Sequence, residues 1–298
     1  KQTKLSTSPT SLSSRQETEI GRVWITFYRA LQQTGDMAVV EALKDGLKNH
    51  GLEVSSFYAY SLRETEAQEE LLRKAENDPP DAILTMQSFS IGRMDERSQA
   101  GLSFLEKLNC PVIQVPTSTE DLEAWQKNPR GFSASNAAMS VVLPETDGRL
   151  FSTVVGFKQE QEEAPELEFR SKRLAPEAKQ IEHVAELTKN WVRLRRTVNS
   201  DKRIAIILAN YPNKDSRLGN GVGLDTPASV ITFLKDLVKR GYSVGNIPEN
   251  GDELIRILQA GITNDLELSY GKIPDQIISR ESLFKKIGAL PEKSQEIL

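Results

Sequence analysis

The sequence predicts an α/β protein of two Rossmann/flavodoxin-like domains, each a mostly parallel sheet with flanking helices, the second of them incomplete. Three observations carry that reading. Short β-branched and aromatic runs alternate with segments of helical periodicity between residues 21 and 127. A further strand, loop and helix opens after residue 202, and a charged stretch with two prolines separates the two patterns. The boundaries that follow are a polar lead-in, disordered or linker, at 1–20, a first domain at 21–160, a charged linker at 161–176 and a second domain at 177–298.

The first domain reads as repeated strand and helix. RVWITFYRAL after Gly21 is a buried strand. Residues 36–50 place Met37, Val40, Leu43 and Leu47 on one helical stripe, and Gly51 supplies the C-cap. Strand LEVSSFYAY, helix 64–76, a turn at 77–80, strand DAILTMQ, helix 98–108, strand PVIQVP and helix 118–127 follow. From Met139 the runs MSVVLPETDGRL and FSTVVGFK flank a Thr-Asp-Gly turn, which predicts a hairpin leaving the parallel sheet.

The second domain begins with a long helix near Pro176. It carries Ile181, Val184, Leu187, Trp191 and Leu194 on one stripe and ends in RLRR, positive charge at the negative end of the helix dipole. RIAIILA at 203–209 is a continuous apolar run of the kind buried on both faces of a parallel sheet. The 15-residue segment NYPNKDSRLGNGVGL leads to the helix TPASVITFLKDLVKRG, with Asp225 or Thr226 as N-cap, Pro227 just inside and Gly241 at its end. An amphipathic helix at 251–260 follows, and the tail from Ile262 reads as short helices with loops.

Composition narrows the function classes. A net charge of −4 offers no broad basic surface for nucleic acid, and no apolar run approaches the ~18 residues of a membrane span. One cysteine and two histidines exclude a disulfide framework and a Cys/His zinc site, and point to a reducing, cytoplasmic setting. His50 and His183 read as surface residues and Cys110 as a small buried filler. The start at Lys1, with a polar stretch lacking the apolar centre of a secretory signal, reads as a piece of something longer.

Candidate chemistry gathers in the loop at 210–225, between the carboxyl end of a strand and a helix N-terminus, where open α/β sheets bind ligands. Gly219, Gly221 and Gly223 let the backbone approach a ligand, and the helix N–H groups favour an anion. Lys214 and Arg217 add positive charge, Asp215 and Asp225 acceptors, so that together they can clamp a carboxylate-bearing or phosphorylated molecule. The alternative is a long connector whose Gly and Asn residues serve turns. Neither the Walker pattern nor the G-x-G-x-x-G fingerprint is met. Glu145 and Asp147 are either a carboxylate pair for metal or proton handling or ordinary turn residues. Gln87 and Ser88, after a strand of the first domain, either line a site or cap the next helix. Helix-end complementarity accounts for the basic patch of Arg195, Arg196, Lys202 and Arg203.

Three stretches, CPVIQVPTSTEDLEAWQKNPRGFS, AAMSVVLPETDGRLFSTVVGFK and RIAIILANYPNKDSRLGNGVGLDTPASVITFLKDLVKRGY, resemble in order and spacing the large subunit of the cobaltochelatase and magnesium chelatase family. The likeness runs from about Gly21 to about Gly261, and the GVGLDTPAS ending is closer to the cobalt branch. The resemblance implies a tetrapyrrole-binding subunit of a metal chelatase, a ligase that inserts cobalt, as substrate, into a corrinoid in cobalamin biosynthesis. ATP and Mg2+ are then used by separate AAA-type partner subunits, and this chain binds no cofactor. The alternatives are a magnesium-protoporphyrin chelatase subunit and a non-catalytic scaffold that docks the AAA partners. The resemblance carries site positions onto Asn210, Tyr211 and Pro212, onto Asp215 and Arg217, and onto the run from Gly219 to Ser229 with Asn220 in it. Asn213 and Ser216 depart from the Pro and Gly often found there. A His-Gly-Thr-Glu-Glu-Trp-Leu-Pro segment expected downstream is absent, so the expectation is an internal piece of a large subunit, inactive alone, with the catalytic base unassigned.

Overall fold

The computed structural model describes residues 21–92, 104–160, 172–209, 215–263, 271–274 and 277–297. β1 (Gly21–Tyr28) runs into α1 (Arg29–Thr34), α2 (Ala38–Asn49), β2 (Leu52–Ala59), α3 (Thr65–Asn77), β3 (Ala82–Thr85), α4 (Phe104–Leu108), β4 (Val112–Gln114) and α5 (Leu122–Lys127). The alternation read from the sequence is followed, with α1 an addition that ends on Gly35 in the left-handed region at φ 69°. Of the helix expected at 98–108, the residues before Phe104 lie outside the described ones.

The five strands β2-β1-β3-β4-β5, where β5 is Leu150–Phe151, form one parallel sheet whose inner strands β1, β3 and β4 are buried. Alternate residues of β1 serve the two sides. Val23, Ile25 and Phe27 pack with Val40, Leu43 and Val184, while Trp24 packs with Leu71, Ile83, Phe104 and Leu105.

The stretch from Met139 differs from the expected hairpin strand. α6 (Ala134–Ala137), a π-helical turn (Ala138–Val142) and α7 (Leu143–Glu145) make it continuously helical. Ser133 caps the start by accepting the Asn136 N–H. Pro144 has no N–H to donate, and the wide turn before it, in which Leu143 N–H reaches Ala138 O, fits a residue that cannot continue an ordinary helical ladder. The β-branched pair Val141-Val142 suggested a strand, and the local capping overrides that preference.

The hairpin that does form pairs β6 (Gly156–Glu160) with β7 (Lys172–Pro176), antiparallel, from Gly156↔Pro176 to Glu160↔Lys172. Residues 172–176, assigned to a linker from their charge, are therefore a strand; 161–171 lie outside the described residues. α8 (Ala178–Arg196) then packs against α2, and the chain divides into two compact units between Thr197 and Val198, later than the boundary read from sequence.

The second unit holds α9 (Thr226–Lys239), α10 (Gly251–Ala260), α11 (Arg280–Gly288) and α12 (Glu292–Gln295). Among its described residues there is no strand. Residues 203–209 were expected as a buried strand of a second parallel sheet. They make no ladder, and Ile204, Ile206 and Ile207 are exposed. An apolar run becomes a strand only where neighbours take its N–H and C=O groups, and composition cannot supply the neighbour. The α/β class thus rests on the sheet of the first unit. No helix among the described residues is long and apolar enough to cross a membrane.

Candidate functional site

The glycine-rich loop belongs to the second unit. Asn210, Tyr211 and Lys214 lie outside the described residues; Asp215, Arg217, Asn220, Gly221, Gly223 and Asp225 lie within them. Gly219 N–H donates to Ala209 O at 2.9 Å, which ties the interior of the loop back to the residue that precedes it. A tight turn at Asp215–Arg217 follows, and Asn220 N–H donates back to Arg217 O at 3.0 Å. Gly219 (φ 66°) and Gly223 (φ 74°) take left-handed conformations, the first ahead of the bridge between Gly221 and Leu224 and the second inside the turn that it closes.

The two aspartates of the loop are already engaged. Asp215 is buried, accepts from Thr263 Oγ1, lies 3.6 Å from Lys272 Nζ, and its carbonyl accepts from Gln259 Nε2 at 3.0 Å. It ties the loop to α10 and the segment beyond. Asp225 is the N-cap of α9: its carboxylate accepts the Ala228 N–H at 3.0 Å, so the expected free N–H groups are partly satisfied by the chain itself. What the loop presents outward is Arg217 and Asn220, then Val222, fully exposed, and Leu224, also exposed. The loop thus exposes two apolar side chains, Val222 between two glycines and Leu224 after them, with the exposed Arg217 five residues before Val222.

In the first unit, the carboxyl ends of the strands are closed by a buried polar network. Gln87 is 2% exposed. Its Oε1 accepts Leu62 N–H at 2.9 Å, its Nε2 donates to Phe27 O at 2.9 Å, and its carbonyl accepts from Arg149 Nη1 at 2.8 Å. Arg149 Nη2 donates to Phe89 O and to Asp147 Oδ2, both at 2.9 Å. Asp147 in turn accepts Ile91 N–H at 2.7 Å, Gly92 N–H at 3.2 Å and Ser90 Oγ at 2.7 Å. Burial pulls the Arg149 guanidinium below its usual value against the opposing pull of Asp147. Burial likewise pushes the Tyr28 phenol up, although it hydrogen-bonds Ser88.

Glu145 is exposed on the last turn of α7 and does not form a carboxylate pair with Asp147, which is committed to Arg149. Gln87 is a tether between strand ends, Asp147 a turn residue. Sequence reading missed Arg149: a single arginine after a Thr-Asp-Gly turn has no periodic partner to mark it as buried.

A sequence model of the family described as CobN/Magnesium Chelatase matches residues 2–298. The chain belongs to this family. Among members of the CobN/magnesium chelatase family, the aerobic cobaltochelatase subunit CobN of Sinorhizobium sp is 38% identical over 251 residues, 84% of this chain and 20% of the relative. That of Pseudomonas aeruginosa is 32% identical over 293 residues, 95% of this chain and 22% of the relative. The solved catalytic subunit of cobaltochelatase from Mycobacterium tuberculosis matches with a TM-score of 0.73 at 26% identity, covering 94% of this chain and 23% of that one. The chain thus spans about a fifth of the length of the curated relatives it matches.

Proposed function

We propose that the chain is part of the tetrapyrrole-binding large subunit of an ATP-dependent cobaltochelatase, which inserts cobalt, its metal substrate, into a corrinoid in cobalamin biosynthesis. The two curated relatives and the solved neighbour described above, all cobaltochelatase subunits by name, favour cobalt and a corrin over magnesium and a protoporphyrin. One observation carries the site: Val222 and Leu224 are exposed on a glycine-bounded tip that follows the exposed Arg217. A tetrapyrrole offers broad apolar faces and a rim of acid or amide groups. The tip covers the face and the guanidinium meets the rim, with Asn210, Tyr211, Lys214 and Asn220 as further rim contacts.

In this reading the loop holds the ring and does not deprotonate it. The ring nitrogens must lose protons as the metal enters, and an acceptor must lie within hydrogen-bond reach. Asp215 is committed to Thr263 and Lys272, and Asp225 to α9, so the base is another group. ATP and Mg2+ act in AAA-type partner subunits. The first unit, whose sheet end is filled by Gln87, Gln114 and Arg149, serves as framework and docking face for those partners.

The test is a spectrophotometric corrinoid titration of the full-length subunit carrying Val222→Asp and Leu224→Ser. Affinity is expected to fall by about tenfold or more, while the unfolding midpoint stays unchanged because both side chains are exposed. Unchanged affinity refutes the site. A cobalt insertion assay with the AAA partners and Mg-ATP, which yields no cobalt corrinoid even with the unaltered subunit, would refute the activity.

A further inference from the structure

On the α3 side of the sheet, two cavities of about 640 and 440 Å³ share the lining residues Ser56, Phe57, Glu70 and Lys74. Trp24 lines the first and Thr26 the second. They stand two residues apart on β1 and therefore on one face, in register with Ser55 and Phe57 of the edge strand β2. Trp24 is 1% and Thr26 2% exposed, yet Trp24 Nε1 and Thr26 Oγ1 have no hydrogen-bond partner among the described residues. A buried polar group left unpaired is destabilising, and two of them on one face of one strand are unusual for a structural core.

The walls complement these donors. Arg73 and Lys74 of α3 bring two cations, with Lys74 Nζ 5.4 Å from the Phe57 ring centroid. The nearby carboxylates offset them only in part: Glu70 is 3.9 Å from Lys74, and Asp78 is held by Arg22 at 2.9 Å. Phe57 stands edge-to-face on Trp24, with ring centroids 4.9 Å apart.

We propose that this face of the first unit, between β1, β2 and α3, binds a small carboxylic acid with an apolar, preferably aromatic, body. The acid's oxygens accept from Trp24 Nε1–H and Thr26 Oγ–H, its charge is balanced by Arg73 and Lys74, and its body lies against Phe57, whose half-buried ring shifts to admit it. The site is independent of the tetrapyrrole reading, since it uses none of the glycine-rich loop.

The probe is 4-phenylbutyrate, added to the 298-residue chain with the three tryptophan indole N–H resonances followed by NMR and that of Trp24 assigned by elimination with Trp125→Phe and Trp191→Phe. The Trp24 resonance is expected to shift saturably while the other two stay. The neutral analogue 4-phenylbutanol, and the exposed substitutions Arg73→Ala with Lys74→Ala, should weaken binding about tenfold or more. Thr26→Val, which replaces an unpaired hydroxyl by a methyl, should weaken binding without lowering the unfolding midpoint. No saturable shift of Trp24 up to about 20 mM probe, or an equal shift with the alcohol or in the doubly substituted chain, overturns the proposal.

Discussion

Arg196, in the last turn of α8, donates through Nη2 to Asp81 Oδ2 at 2.8 Å, closing a contact between residues 115 apart in sequence. Asp81 is fully buried at the start of β3, and the same oxygen accepts the Arg22 N–H of β1 at 2.9 Å, while Arg195 lies 3.8 Å away. The basic end of α8 therefore does more than oppose the helix dipole: it is fastened to the sheet through a desolvated carboxylate. Asp81→Ala removes the acceptor of Arg196 Nη2 and of the Arg22 N–H, and the counter-charge near Arg195. It should cost about 3–5 kcal/mol of stability in urea unfolding, and Asp81→Asn, which keeps one acceptor oxygen, should cost less. Equal stability of Asp81→Ala and the unaltered chain would sink this account.

Gln87 joins Phe27 of β1 and Leu62, three residues beyond β2, to the Arg149 network. Gln87→Leu strands the Leu62 N–H and the Phe27 carbonyl in the core, which should lower stability by about 1–3 kcal/mol in the 298-residue chain. In the full-length subunit, corrinoid affinity should be unchanged. A loss of affinity without a loss of stability would return Gln87 to the binding residues.

The first unit was legible because its signals are local and periodic. β1 alternates faces, α2 carries one apolar stripe, and Gly51 at φ 78° ends it. Residues 139–150 read as a strand because Val141 and Val142 look β-like, while the helix depends on the Ser133 cap, set before the run, and on a wide turn ahead of Pro144 that holds both valines. RIAIILA failed as a strand for a different reason: pairing is a property of neighbours, and the sequence shows only the run itself. The loop's glycines were visible, whereas the burial of Asp215 depends on Thr263 and Lys272, some fifty residues away, and leaves no local trace.

Gly156 sits where β6 meets α2. A Cβ there would lie 2.6 Å from Val39 Cγ2, a clash, and 3.3 Å from the Ala175 carbonyl, a tight contact. Gly156→Ala should therefore destabilise the chain by about 1–3 kcal/mol. Val39→Ala alone also destabilises, by opening a cavity, yet adding it to Gly156→Ala should cost less than the sum by about 1 kcal/mol, since it removes the clashing methyl. Strict additivity in a double-mutant cycle of denaturant midpoints would show that the two positions do not meet.

Cys110 precedes β4, and burial pushes its thiol up to about 12, against the pull of Arg195 in the other direction. With its thiol raised from 9.0 to about 12, the native chain holds far less thiolate at pH 8, so iodoacetamide should alkylate it at least about tenfold more slowly than the urea-unfolded chain. Stability carries the same signature. The folded value lies above the unfolded one, so the folded chain keeps its proton while the unfolded chain releases it. The contribution is intact below the unfolded value and is lost as pH rises from about 9 toward 12. Urea midpoints of the unaltered chain should therefore fall more steeply between about pH 9 and 10.5 than those of Cys110→Ala. Parallel curves, or alkylation at equal rates in the native and unfolded chains, would place the thiol in water instead of beneath α4.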